Sequence, residues 1–193
     1  MIRSGTWSLD ALHSQIMVSV RHFNVANLRA KFPVVKGSLE VDTEDPLRSS
    51  FQVEIDATSV TTGHPAQEDY MRSEPWLDAE HHPRIAFVSN AIEPHGDEYM
   101  IRGELSFRGV SREIVIPFRF HGVVSDPWGL RAGFTSQFTL DRHNLAGGMP
   151  MYNKKTALWA LFACGGLGGR RSRRCFHHGQ RLPDEGRNIA GLA

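Results

Sequence analysis

Two carboxylates and two histidines stand close together in residues 78–82, where Asp78 and Glu80 precede the adjacent pair His81 and His82. Imidazole and carboxylate groups are the side chains that coordinate metal ions or transfer protons. Adjacent side chains point in opposite directions in an extended chain, so the two histidines cannot easily bind one ion. No Cys-x-x-Cys or His-x-x-x-His spacing accompanies them. We therefore predict no metal site and no cofactor.

A second group, Asp10, His13 and Ser14, contains the three functional groups of a hydrolase triad. Side chains alternate between the two faces of a strand, so this spacing alone does not bring the three groups together. The Gly-x-Ser-x-Gly motif that exposes a nucleophilic serine in many hydrolases is absent from the sequence. We predict that the protein has no catalytic residues and is not an enzyme.

Composition narrows the class of protein further. The chain has 193 residues, 40% of them hydrophobic, and a formal net charge of +1. This length suits one domain with a proper core, and the small net charge argues against a nucleic-acid partner. No apolar run approaches the roughly 20 residues of a membrane-spanning helix, and the first residues lack the apolar core of an export signal. We expect a cytoplasmic protein without a membrane span.

The elements that must position any site are strands, because apolar and polar residues alternate along most of residues 6–141. Gly, Pro, Asp and Ser separate the alternating runs, as hairpin turns require. About seven antiparallel strands follow, and closure into a barrel would remove their free edges. The alternation alone does not distinguish a barrel from a sandwich.

Apolar side chains on the inward faces of these strands are the candidate ligand contacts. Large and small residues alternate there, which leaves either a packed core or an elongated apolar tunnel. The candidates are Ile16, Val18, Val20, Phe51, Val53, Ile55, Phe87, Leu105, Phe107, Ile116, Phe118, Phe134 and Phe138, with His22 at the end of one face.

One connector and one terminal segment break this alternation. Residues 66–73 contain helix formers and lie between Pro65 and Pro75, which predicts a short helix between two strands. A connection of about 20 residues is longer than most and tends to be functional. Residues 148–193 show no alternation and contain many Gly and Arg residues. We interpret them as a disordered tail rather than as a patch for an anionic partner.

Several motifs occur in order along the chain: WSLDALHSQIMVSVRH, KGSLEVD, VEIDATSVTTG, EDYMRSEPWLDAEHHPRIAFVS, GELSFRGVSREIVIPF and AGFTSQFTLDRHNLAG. The first resembles a Trp-x-x-Asp-x-x-His-Ser opening. The fourth resembles a helix that leads into a Pro-x-Ile-x-Phe strand, and the fifth a Gly-x-Leu-x-x-Arg-Gly-Val-x-Arg hairpin. Together they resemble the YceI-like family of lipocalin-like polyisoprenoid-binding proteins over residues 6–147.

The resemblance implies one antiparallel lipocalin-like β-barrel domain, residues 6–147, with one short helix between strands. It implies a long apolar isoprenoid, either a polyprenyl diphosphate or an isoprenoid quinone, bound inside the barrel for transport or storage. The inward residues given above would contact this lipid. Arg72 and Trp76 at the rim, with His22, are the remaining candidate ligand-binding residues. Family members are often dimeric, so a homodimer is also implied.

The sequence departs from the family pattern in the helix and at the end. Gln67, Glu68 and Tyr70 replace an Arg-Asp start and a histidine, and Trp76-Leu77 replaces Phe-Phe. No closing strand is recognisable after residue 147. We therefore predict that this strand is lost and that residues 148–193 are a disordered or frame-shifted tail. Two alternatives stay open: a quinone-dependent redox-stress enzyme, and a structural or degenerate barrel with no ligand.

Overall fold

A computed structural model describes residues 2–22, 25–127, 129–141, 145 and 155–166. Within these ranges the side chains of residues 22, 155–163 and 166 are not described. The strands are β1 Gly5–Leu9, β2 Gln15–His22, β3 Ala26–Phe32, β4 Val35–Val41, β5 Ser50–Asp56, β6 Arg84–His95, β7 Glu98–Phe107, β8 Val110–Asp126, β9 Gly129–Asp141 and β10 Lys155–Gly166. One α-helix, α1, spans Pro65–Arg72, and two short 3-10 turns span Pro46–Arg48 and Ala57–Ser59.

The strands form an antiparallel barrel that closes on itself. Hydrogen-bonded neighbours run in the order β1-β4-β5-β6-β7-β8-β9-β10, and β1 also pairs with β10 to complete the ring. The pair β2 and β3 extends the wall formed by β1 and β4 toward one end of the barrel. β2 pairs with residues 156–161 of β10, whereas β1 pairs with residues 164–166 of the same strand. The predicted all-β antiparallel barrel with one short helix is confirmed.

The predicted loss of the closing strand is wrong. β10 pairs with β9 from Lys155, opposite Asp141, to Gly165, opposite Arg131, and its other edge pairs with β2 and β1. The sequence TALWALFAC is a continuous apolar run without the polar alternation of the other strands, so periodicity does not mark it as a strand. The barrel therefore continues beyond residue 147. Residues 167–193, where the frame-shifted or disordered tail was predicted, lie outside the described residues.

The two ends of the barrel differ in what covers them. At one end, here called the cap end, lie the connections β2–β3, β5–β6, β7–β8 and β9–β10. The β5–β6 connection, residues 57–83, contains α1 and is called the cap. The opposite end, the far end, carries the connections β4–β5, β6–β7 and β8–β9. None of the helices in the described ranges has the length and apolar character needed to cross a bilayer.

Candidate functional site

An apolar cavity of about 150 Å³ lies inside the cap-end half of the barrel. Inward residues of β2, β3 and β5 to β9 form its wall, and residues of the cap lie across its end. The lining residues are Ile16, Val18, Val20, Phe32, Phe51, Val53, Ile55, Met71, Trp76, Leu77, Ile85, Phe87, Leu105, Phe107, Ile114, Ile116, Ser136, Phe138, Leu140 and Leu145.

The roof of the cavity is built by α1 and the tight corner that follows it. Pro65 occupies the first turn of α1, where its missing N–H costs no hydrogen bond. After the helix, the backbone N–H groups of Trp76 and Asp78 both donate to the carbonyl of Ser73, and that of Leu77 donates to Met71. The chain thus folds back on α1, and Met71, Trp76 and Leu77 are buried against the cavity.

The wall is almost free of polar groups. Ser136 is buried, and its hydroxyl donates a 2.6 Å hydrogen bond to the carbonyl of Pro117. None of the described lining residues is charged. Because a buried charge or unpaired polar group is costly in such surroundings, the cavity favours an apolar occupant.

The floor of the cavity is aromatic. The rings of Phe118 and Phe134 are stacked with their centroids 5.1 Å apart, and Phe51 lies 5.2 Å from Phe118. All three side chains are buried. Below this level, toward the far end, Trp7 and Ile101 are also buried and belong to the same hydrophobic core.

Twelve of the sixteen predicted ligand-binding residues line the cavity: Ile16, Val18, Val20, Phe51, Val53, Ile55, Trp76, Phe87, Leu105, Phe107, Ile116 and Phe138. Phe118 and Phe134 do not line it and form the floor. Arg72 does not line it either, because its guanidinium pairs with Asp69 at 2.8 Å and donates to the carbonyl of Val60 at 3.3 Å. The side chain of His22 lies outside the described residues. Contact of all sixteen with a ligand stays a prediction.

Eight lining residues were not among those candidates. Ile85, Ile114, Ser136 and Leu140 follow the same alternation as their neighbours, so the pattern contained the signal for them. Phe32 ends β3, a strand whose alternation is weak in sequence. Met71, Leu77 and Leu145 come from the cap and from the segment after β9, and no strand periodicity points to such positions.

The triad-like residues near the N-terminus form an ion-pair cluster. His13 donates from Nδ1 to Asp10 at 2.9 Å, and Arg131 contacts both Asp10 and Asp126. Burial alone would raise the pKa of Asp10, but the hydrogen bonds from His13 and from the Leu12 N–H, with the charge of Arg131, lower it below its usual value. Arg131 therefore connects the β1–β2 corner to the β8–β9 hairpin at the far end.

The histidine pair lies on the surface of the cap. His81 donates from Nδ1 to Asp78 at 2.7 Å, and His82 Nε2 lies 3.8 Å from the same carboxylate. The hydrogen bond with Asp78 raises the pKa of His81. Neither histidine lines the cavity. Across the ranges that the structure describes, no three His, Cys, Asp or Glu side chains are grouped to hold a metal ion.

Two curated relatives match most of the barrel in sequence. A UPF0312 protein of Pectobacterium atrosepticum is 30% identical over 132 residues, which cover 68% of this chain and 69% of the relative. Protein YceI of Escherichia coli O157:H7 is 29% identical over 129 residues, which cover 66% of this chain and 68% of the relative.

Solved structures show the same fold at low sequence identity. BcnA of Burkholderia cenocepacia superposes with a TM-score of 0.70 at 22% identity, covering 80% of this chain and 98% of that chain. A polyisoprenoid binding domain from Saccharophagus degradans superposes with a TM-score of 0.58 at 15% identity, covering 82% of this chain and 97% of that chain. A model of the YceI-like domain matches residues 7–158, most of the barrel, and the chain therefore belongs to the YceI-like family.

Proposed function

We propose that this barrel binds an apolar isoprenoid lipid, either a polyprenyl diphosphate or an isoprenoid quinone, and serves in transport or storage of the lipid rather than in catalysis. The observation that carries the proposal is the apolar cavity, whose described wall contains no charged residue. Each CH₂ group moved from water into such a wall contributes about 0.8 kcal/mol, so a branched hydrocarbon chain is a favourable occupant.

Two further observations support this ligand class. The Saccharophagus degradans domain with the same fold is described as polyisoprenoid binding. The described wall carries only two polar side-chain groups, the hydroxyl of Ser136, which donates to Pro117, and the indole N–H of Trp76, and neither carries the charge that a diphosphate needs. The polar head of the lipid therefore stays outside the cavity, and only the hydrocarbon chain enters.

The geometry favours binding over the redox-enzyme alternative. A quinone-dependent enzyme needs a titratable group beside the bound ring, and none of the described lining residues is titratable. The degenerate-barrel alternative was motivated by a missing closing strand, and β10 occupies that place. Cytoplasmic localisation and a homodimer belong to the proposal. Cell fractionation and light scattering on the purified protein test them.

The test fills the cavity without changing the surface. In the variant Ile116→Trp an indole occupies the cavity, because Ile116 is a buried lining residue of β8. We expect prenyl lipid to co-purify with the wild-type protein, to be detected by mass spectrometry after solvent extraction, and to be reduced at least about tenfold in the variant.

The matched control is Val115→Trp. Val115 precedes Ile116 on β8, and its side chain is 41% exposed on the outer face. This variant adds the same indole outside the barrel and should retain the lipid. Absence of prenyl lipid from the wild-type protein, together with no binding of added prenyl lipid, would contradict the proposal.

A further inference from the structure

We propose that the stacked rings of Phe118 and Phe134 set an upper limit on the length of the bound chain, an inference that rests on the proposed function. The barrel then selects the end of a prenyl chain, one or two isoprene units long, and gains no affinity from a longer chain. Phe118 and Phe134 thus determine the specificity for chain length, although neither residue lines the cavity.

The cavity ends at adjacent inward positions on two neighbouring strands. Ile114 and Ile116 of β8 line it, whereas Phe118, the next inward residue toward the far end, does not. On β9, Ser136 lines the cavity and Phe134, the next inward residue toward the far end, does not. On β8 and β9, the last lining residue toward the far end, Ile116 or Ser136, is therefore followed by a phenylalanine at the next inward position.

The two rings form this end of the cavity because they stack on each other from the neighbouring strands β8 and β9. Their centroids are 5.1 Å apart with an interplanar angle of 29°, a stacked arrangement. Phe51 contacts Phe118 from the opposite strand β5, with centroids 5.2 Å apart. Phe118 and Phe134 are buried to 3% and 6% exposure. Stacked aromatic pairs gain stability beyond their buried area, so the floor is a preferred arrangement of these rings.

Further side chains pack around the two rings. Phe120 is paired with Phe134 across β8 and β9, and the centroids of their rings are 5.2 Å apart. Trp7, Ile101 and Ala132 are buried in the same half of the barrel. A chain that passed the floor would have to displace several side chains of the core, which is close-packed in proteins generally.

The size of the cavity agrees with a short chain. An apolar cavity of about 150 Å³ holds a benzene-sized group, and an isoprene unit contains five carbon atoms. About one unit fits the cavity as it stands, and we expect a second unit to be only partly buried. Further units of a longer chain remain in water, where they contribute no burial.

The experiment measures binding of prenol, geraniol, farnesol and geranylgeraniol to the full-length protein by isothermal titration. For the wild-type protein we expect affinity to rise from prenol to geraniol and to change less than about twofold from geraniol to geranylgeraniol. The variant Phe134→Ala removes one ring of the floor. Its affinity for farnesol should exceed that of the wild type at least about tenfold, because more of the chain is buried.

Two further variants keep the test decisive. Phe134→Leu removes less volume and serves if circular dichroism shows that Phe134→Ala is not folded. Phe120→Leu is the matched control, because Phe120 contacts the same Phe134 ring and does not line the cavity. It should weaken the fold without changing the dependence of affinity on chain length.

The outcomes separate this inference from the proposed function. Wild-type affinity that keeps rising to geranylgeraniol overturns the length limit while the lipid-binding function stands. The same holds if the floor variants fold and bind with the wild-type dependence on chain length. If none of the four alcohols binds, and no prenyl lipid co-purifies with the protein, the proposed function fails and the length limit fails with it.

Discussion

The cap-end half and the far half of the barrel interior follow the same alternation of inward residues, yet one encloses a cavity and the other is filled. On β8 and β9, the boundary between the two halves lies at a phenylalanine. On β9, Phe134 lies on the filled side and Ser136 on the open side. On β8, the same step separates Phe118 from Ile116. A barrel of eight strands is near the size at which its own side chains fill it, so exchanging a few aromatic residues for small ones opens a cavity.

The two halves also differ in how their ends are held together. The cap covers its end with apolar side chains, among them Met71, Trp76 and Leu77. At the far end, Arg131 joins the carboxylates of Asp10 and Asp126. We infer that the far half contributes most of the free energy of unfolding, because the side chains of the cap half leave a cavity unfilled. Four experiments test this, in order of expected effect.

The largest effect is expected from truncation of the floor. Phe118→Ala should lower the free energy of unfolding by about 4 kcal/mol, since it leaves a new void among close-packed rings. Phe107→Ala, in the cavity wall, should cost about half as much, because its ring already faces empty space on one side. Urea unfolding monitored by circular dichroism measures both. Equal losses would contradict the comparison.

At the boundary between the halves, Gly103 of β7 should have no room for an added methyl group. A Cβ at Gly103 would lie 2.4 Å from the carbonyl oxygen of Val88 and 2.6 Å from the ring of Phe87. Gly103→Ala should therefore reduce stability by about 2 kcal/mol in urea unfolding. Gly165→Ala is the control, because a Cβ there meets nothing within 4 Å. A Gly103→Ala protein as stable as the control would show that the Phe87 ring moves freely.

The ion-pair cluster at the far end should contribute a smaller amount. Arg131→Ala leaves two partly buried carboxylates without their shared cation and should cost about 1.5 kcal/mol of unfolding free energy. The control Arg102→Ala breaks an exposed pair with Glu113, 3.1 Å apart, and should cost less than about 1 kcal/mol. Thermal unfolding of both variants provides the measurement. Similar melting temperatures would show that the ion-pair cluster does not stabilise the far end.

The smallest effect concerns the thiol of Cys164 at the far end of β10. Burial raises the pKa of Cys164 from 9.0 to about 11. Because folding raises the pKa of this thiol, the protonated thiol contributes to stability. The contribution is complete below the pKa of the unfolded state and is lost as the pH rises through the pKa of the folded state. The stability of the wild-type protein relative to Cys164→Ala should therefore fall between about pH 9 and pH 11.

Alkylation of the same thiol provides a second measurement. Only the thiolate reacts, and the side chain is buried at 1% exposure. The peptide that contains Cys164 should be modified by iodoacetamide at pH 8 only after unfolding in urea. Rapid modification in the native protein would show that this part of β10 is open to solvent.

Much of the cavity wall could be predicted from sequence because strand periodicity is a local property. Alternate residues of a strand share a face, so Phe51, Val53 and Ile55 had to lie together once their neighbours were polar. The short helix was equally local, since Pro65 and Pro75 delimit a run of helix formers. The closing strand was missed because its residues are apolar at consecutive positions, whereas strand periodicity identifies only runs that alternate.

The sequence by itself determined the class of the protein: an antiparallel barrel with an apolar interior and one helical connector. These features depend on side-chain patterns within single segments. Only the tertiary structure decided where the interior is filled and where it is open, because that depends on which residues of different strands meet. Phe118 and Phe134 are separated by 15 intervening residues, and β10 closes the ring with residues far from its partners in β1 and β2. Contacts of this kind follow from strand register and closure, which no local pattern records.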